Sequence, residues 1–156
     1  MEIARALNHA VIATEWVARV ILLLAGMLVI YYAADRAPPF VLHESNPAQG
    51  YAGDYVTITA RVTRDTDRKC NTEFSRYVYD SRGTRFDLGR SQASAEAIAS
   101  MERRSPGVLA VAFVVPPAAK PGPAIMQTVL QYKCNRVHAL GWPIETTVEM
   151  PFLVLP

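Results

Sequence analysis

Residues Tyr55–Arg64 read YVTITARVTR, and their alternation decides the fold class. Val56, Ile58, Ala60 and Val62 fall on one side, while Thr57, Thr59, Arg61 and Thr63 fall on the other. A period of two is the pattern of a strand with one dry and one wet face. Most of the ten are β-branched or aromatic, types that pack well on a pleated surface.

The same grammar extends in both directions. Residues 72–79 form a second clear strand, ended by Asp80-Ser81-Arg82-Gly83, a hairpin turn with glycine where φ is positive; residues 84–88 return as its partner. Upstream, residues 40–44 read as a first strand, and Asn46, Pro47, Gly50 and Gly53 mark a loop. Downstream, residues 108–115, 124–134 and 144–155 complete the set, with Pro116, Pro117, Pro121, Gly122 and Pro123 making a rigid turn. Residues 91–104 are alanine-rich and compatible with either a short helix or a loose crossover. About seven short strands at this spacing predict an all-β sandwich over residues 40–156.

The strand order resembles that of immunoglobulin-like and fibronectin type III-like domains. The stretch from Phe113 to Cys134 is similar to their fifth-to-sixth strand region: a strand, Val115-Pro116-Pro117, Pro121-Gly122, then a long strand ending in cysteine. Cys70 departs from the antibody pattern by preceding the third strand, and the third strand carries no tryptophan, so the resemblance is to architecture. It implies that the third and sixth strands are antiparallel neighbours, with Cys70 and Cys134 side by side. A disulfide there closes a loop of about 65 residues and is worth a few kcal/mol in the chain-entropy model.

Before the domain, residues 20–34 read VILLLAGMLVIYYAA without a charge. Extended back to residue 17, the run is about eighteen residues, near the lower limit for crossing a hydrocarbon core of roughly 30 Å. Trp16 at one end and Tyr31 and Tyr32 at the other suit the two interfaces, and Arg19 lies close enough to the end to snorkel. Asp35, Arg36 and the Pro38-Pro39 pair stop the helix. The expected organisation is a cytoplasmic or interfacial helical segment (1–16, with Ile3, Leu7, Ala10, Val11 and Thr14 on one face), a transmembrane helix (17–34), a linker (35–39) and an exported sandwich (40–156). A cleaved signal peptide is disfavoured, because cleavage after Ala33 or Ala34 puts Tyr31 or Tyr32 where a small residue is wanted. Arg5 and Arg19 precede the span and Arg36 follows it, which favours a cytoplasmic N-terminus; two cysteines, both after the span, favour an oxidising compartment for the domain. The expected location is thus the inner membrane, single-pass, with the domain in the periplasm.

Composition narrows the role. Of 156 residues 19% are charged and the formal net charge is +2, with no run of like charge, which argues against a nucleic-acid partner. His43, His138, Cys70 and Cys134 lack any zinc-ligand spacing, Ser75, Asp80 and His138 lack a nucleophile context, and no glycine-rich phosphate loop occurs. No catalytic residue, metal, cofactor or small-molecule substrate is therefore expected, and the protein is read as a non-enzyme. One feature stands out: Arg61, Arg64, Arg68 and Lys69 near one strand connection and Lys133, Arg136 and His138 near another, a patch suited to anionic headgroups or an acidic partner. The bilayer and a protein partner are the expected contacts. The function expected is a membrane-anchored binding or assembly module of the cell envelope. Its alternatives are a phage-encoded envelope protein acting in lysis or superinfection exclusion, or an accessory subunit of an envelope enzyme. The disulfide and the basic patch should lie at the end where the chain enters the domain, with the 80–83 and 116–123 turns at the other.

Overall fold

The computed structural model describes the backbone of residues 2–156 and the side chains of residues 14–156. The chain forms two compact units, Met1–Arg36 and Ala37–Pro156. The first is one helix, α1 (Glu2–Ala34). Its Thr14–Ala34 portion has a mean hydropathy of 2.1, and none of that window is buried within the protein. Twenty-one residues at 1.5 Å each give about 32 Å, enough for a bilayer core. By length and composition, the segment is a membrane anchor or a signal sequence. Glu15 and Arg19 pair across one turn at 3.6 Å, and the Arg19 guanidinium lies 5.9 Å from the Trp16 ring. The face expected on Ile3, Leu7, Ala10 and Val11 falls outside the described side chains.

The second unit contains β1 (Phe40–Ser45), β2 (Gln49–Tyr51), β3 (Tyr55–Arg64), β4 (Asn71–Tyr79), β5 (Arg85–Ala93), α2 (Ala95–Arg104), β6 (Val108–Val114), β7 (Gly122–Lys133), α3 (Arg136–Ala139) and β8 (Ile144–Leu155). Three strands form one sheet in the order β1-β3-β6, and five form the other in the order β2-β8-β7-β4-β5.

The expectation of seven strands falls short by one. β2 lies inside the stretch read as a loop, where it pairs in parallel with β8, Gln49 opposite Leu153. Gly50 serves close approach here: a Cβ on it would come 2.4 Å from Val56 Cγ2. The strand expected at residues 84–88 continues to Ala93, because Gly89 (φ +94) falls at a register shift against Arg76 and Tyr77 and carries the chain through a bulge. α2 resolves the ambiguous stretch after Ala93. Ser94 caps it, its side chain accepting from the Ala97 N–H at 3.2 Å.

The alternation in β3 is realised as read. Val56, Ile58, Ala60 and Val62 are all buried, Ile58 completely. They pack with Val78, Met126, Met150 and Val154 of the other sheet, and Phe113 meets Phe152 edge to face at 5.3 Å. At one end of the unit, Asp80 is buried and collects backbone N–H donors from Arg82, Thr84 and Lys120 at 2.9, 2.9 and 3.1 Å. Ser81 Oγ donates to the Pro121 carbonyl at 2.8 Å, so the 80–83 and 116–123 turns are tied together. At the other end, Asn71 of β4 faces Lys133 of β7, and the flanking Cys70 and Cys134 are joined in a disulfide. Chain entry is at that same end: the Asp65 N–H donates to the Pro39 carbonyl at 2.8 Å, and Phe40 packs on the cluster of Cys70, Tyr132 and Ile144.

Candidate functional site

The basic residues singled out in the sequence have different fates. Arg61 faces outward on β3 and pairs with Glu44 at 3.5 Å, both exposed. Arg64 falls on the inward parity of β3, continuing Val56 to Val62. Its side chain is 7% exposed, pairs with Glu102 of α2, and donates to the Val108 carbonyl at 3.1 Å. Arg68 donates to the Ala37 carbonyl. Lys133 pairs with Glu73 at 2.7 Å. His138 is fully buried rather than a surface histidine: it belongs to α3, capped by Asn135, whose side chain accepts its N–H at 2.9 Å. Lys69 and Arg136 are exposed, with no carboxylate partner among the described residues. His43 lies apart, 2.7 Å from the Thr63 hydroxyl, and the cysteines are engaged with each other.

These pairings fix charge states. The hydrogen bond from Arg64, with a second from the Gly107 N–H, holds Glu102 below the ordinary carboxylate value. The hydrogen bond from Lys133 does the same for Glu73. For Asp80, burial alone would raise the value, but the bonds from Thr84, Lys120 and Arg82 together bring it down.

Between the sheets, beneath α2, lies a cavity of about 210 Å³. Its apolar wall includes Phe74, Ile98, Met101, Leu109, Leu130 and Val148. β4 supplies Thr72, Phe74 and Arg76 from one face, and β7 supplies Thr128, Leu130 and Tyr132 directly opposite them. The sheets have unequal widths, three strands against five, and a helix crosses between β5 and β6. No α2 residue is fully buried. Arg64, Asp65 and Arg68 contribute to the lining on the side where the chain enters.

The wall carries polar atoms that the protein leaves unsatisfied. Four buried side-chain atoms lack a hydrogen-bond partner among the described residues: Thr72 Oγ1, Arg76 Nε, Tyr132 OH and His138 Nδ1. The first three belong to cavity residues. Thr72 is 4% exposed and Tyr132 2%. Burial pushes the Tyr132 phenol up and the Arg76 guanidinium down from their ordinary values. The Arg76 guanidinium lies 4.6 Å from the Phe74 ring and has no carboxylate partner among the described residues. Buried polar groups are ordinarily paired, so three unpaired ones around a single apolar space are unusual.

Sequence reasoning missed Arg76, Thr72 and Tyr132. The signal was present: in residues 72–79 the parity that puts Val78 inside also puts Thr72, Phe74 and Arg76 inside.

No protein-family model matches the chain, and a search of curated proteins finds no match either.

Proposed function

We propose that the chain is a membrane-anchored binding module of the cell envelope and not an enzyme. In this reading α1 spans the inner membrane with its N-terminus in the cytoplasm, and the disulfide-bonded unit stands outside as an immunoglobulin-like sandwich that docks a protein partner. The unburied apolar helix, the Arg5 and Arg19 bias and the Cys70–Cys134 bond support the sidedness. In this reading β8-β7-β4-β5 takes the part of the G-F-C-C′ sheet of variable-type domains and β1-β3-β6 that of A-B-E, with α2 falling in chain order, between β5 and β6, where a D strand would come. This correspondence supports the sandwich reading.

The observation that carries docking is the free edge of β5. It is nine residues long, the longest of the four edge strands, and exposed along most of its length. An open edge offers a row of backbone donors and acceptors for an added strand. Arg85 and Arg90 along it favour an acidic segment.

The test uses the full chain expressed in cells with a photoreactive amino acid at Asp87 or Ser91, and at Thr147 on β8 for comparison. A discrete adduct from the β5 positions and none from Thr147 is the expected outcome; no adduct from either β5 position overturns edge docking. Carbonate extraction of the same membranes checks the anchor. Release of a shorter chain beginning after Ala34 would make α1 a signal sequence instead.

A further inference from the structure

We propose that the cavity beneath α2 binds an elongated, medium-chain aliphatic anion, with its anionic head at Arg76 and an oxygen-bearing far end at Thr72 and Tyr132. The site lies between the sheets and is independent of partner docking at β5.

Three observations carry the inference. The first is size. A cavity of about 210 Å³ is larger than the ~150 Å³ apolar cavity that holds benzene, and at a water-sized share of roughly 30 Å³ per group it takes about seven methylene-sized groups. The second is layering. Thr72 faces Tyr132 across β4 and β7, Phe74 faces Leu130, and Arg76 faces Thr128. A polar pair, an apolar pair and a pair with one charge, Arg76 beside Thr128, thus follow one another along the same inner face. Thr72 and Arg76 are four residues apart, about 13 Å along the strand, with the apolar layer between them. A ligand filling this space has one polar group at each end and hydrocarbon in the middle.

The third is charge. Arg61, Arg64 and Lys133 each have a carboxylate, whereas Arg76 has only the Phe74 ring and an unpartnered Nε. The guanidinium is half-buried and its Nε is shut off from solvent without an acceptor, and an incoming anion both neutralises the charge and accepts that N–H. At the other end the Thr72 and Tyr132 hydroxyls donate to, or accept from, a hydroxyl or carbonyl oxygen. α2, capped at Ser94 and tethered through Glu102 but with no fully buried residue, is the element able to yield as the ligand enters.

The experiment uses the full-length chain in phosphatidylcholine nanodiscs, with empty discs as the blank for partition into lipid. Saturation-transfer NMR follows 8-hydroxyoctanoate, octanoate and octan-1-ol. The expected order is 8-hydroxyoctanoate tightest, octanoate several-fold weaker, and octan-1-ol at least tenfold weaker than octanoate. Arg76→Gln should cost the two carboxylates tenfold or more and leave octan-1-ol unchanged. Ala99→Trp, on the half-buried face of α2, should exclude all three by filling the space, with an unchanged melting curve and an intact disulfide certifying the fold. The comparison of three ligands on the unaltered chain needs no variant. Equal signal from octanoate and octan-1-ol overturns the anionic head, and no gain from the terminal hydroxyl overturns the far-end assignment. Signals no greater than those of empty discs overturn the site, leaving a water-filled gap. A phosphatidylglycerol with a photoreactive acyl chain in the same discs tests the other source of hydrocarbon. An adduct on residues 95–104, with no response to the free acids, assigns the space to a bilayer acyl chain and overturns the free-acid form.

Discussion

The interior of the β unit has two halves that obey one rule and end differently. In the first, the inward residues of β3 (Val56, Ile58, Ala60 and Val62) meet Val78, Met126 and Val154, and the space between the sheets is closed with side chains at or near zero exposure. In the second, the inward residues of β4 and β7 reach past that contact to a cavity roofed by α2. Strand parity turned both sets of residues inward. What differs is the cover: a strand presents a continuous ridge of side chains, whereas a ten-residue helix with no buried residue leaves room beneath it. Inward direction and dense packing are thus separate properties, and three of the four unpartnered buried polar atoms among the described residues belong to the second half.

The largest expected effect would sharpen this contrast by removing what ties the end of the loose half. Replacing Cys70 and Cys134 together with serine should cost about 4 kcal/mol for a separation of 64 residues in the chain-entropy model, measured by urea unfolding of the full chain in nanodiscs. A loss below 1 kcal/mol would mean that the unfolded chain is already restrained there. Next comes the direct comparison of halves. Ile58→Ala should cost about 3 kcal/mol, as a cavity opened in a closed core does. Ile98→Ala on α2 should cost less than about 1 kcal/mol. Equal costs would break the comparison.

Acid should loosen the second half before the first. Glu102 tethers α2 through Arg64 and the Gly107 N–H, and its folded value lies below the ordinary 4.5. A lowered carboxylate contributes stability that is fully present above the ordinary value and is lost as pH falls through the folded one. The same sign holds for Glu73 below 4.5 and for Asp80 below 3.8. Hydrogen exchange corrected for intrinsic rate should therefore show residues 95–107 losing protection as pH falls below the ordinary 4.5 of Glu102, while β3 stays protected. Simultaneous loss in both regions would count against separate halves. The smallest effect is expected from Thr72→Val. Exchanging an unpaired buried hydroxyl for a methyl should be neutral, or stabilising by up to about 1 kcal/mol, in the same urea titration. A clear destabilisation would reveal a partner for Thr72 Oγ1.

Much of the plan was legible in the residues. Period-two alternation found β3 and β4, and the resemblance to an immunoglobulin-like order put Cys70 beside Cys134, where β4 and β7 do run side by side. The apolar run found the long helix, and the turn residues found the Asp80 end. Three things were misread for local reasons. Gly50 looks like a loop glycine, but it permits β2 to pass close to Val56. Gly89 looks like the end of a strand, but it sits in a bulge within one. His138 looks exposed in a polar stretch, but α3 folds it in.

The basic cluster divides along the same line. The sequence determined by itself which residues are basic, which strands carry them, and which side of each strand they occupy, because side-chain direction along a strand follows from counting. Only the tertiary structure decided their partners: Glu102 for Arg64, Glu73 for Lys133 and an aromatic ring for Arg76. Those pairings join residues up to 60 positions apart, and they depend on how wide each sheet is and what crosses over it. Neither property is written in any local window of the chain.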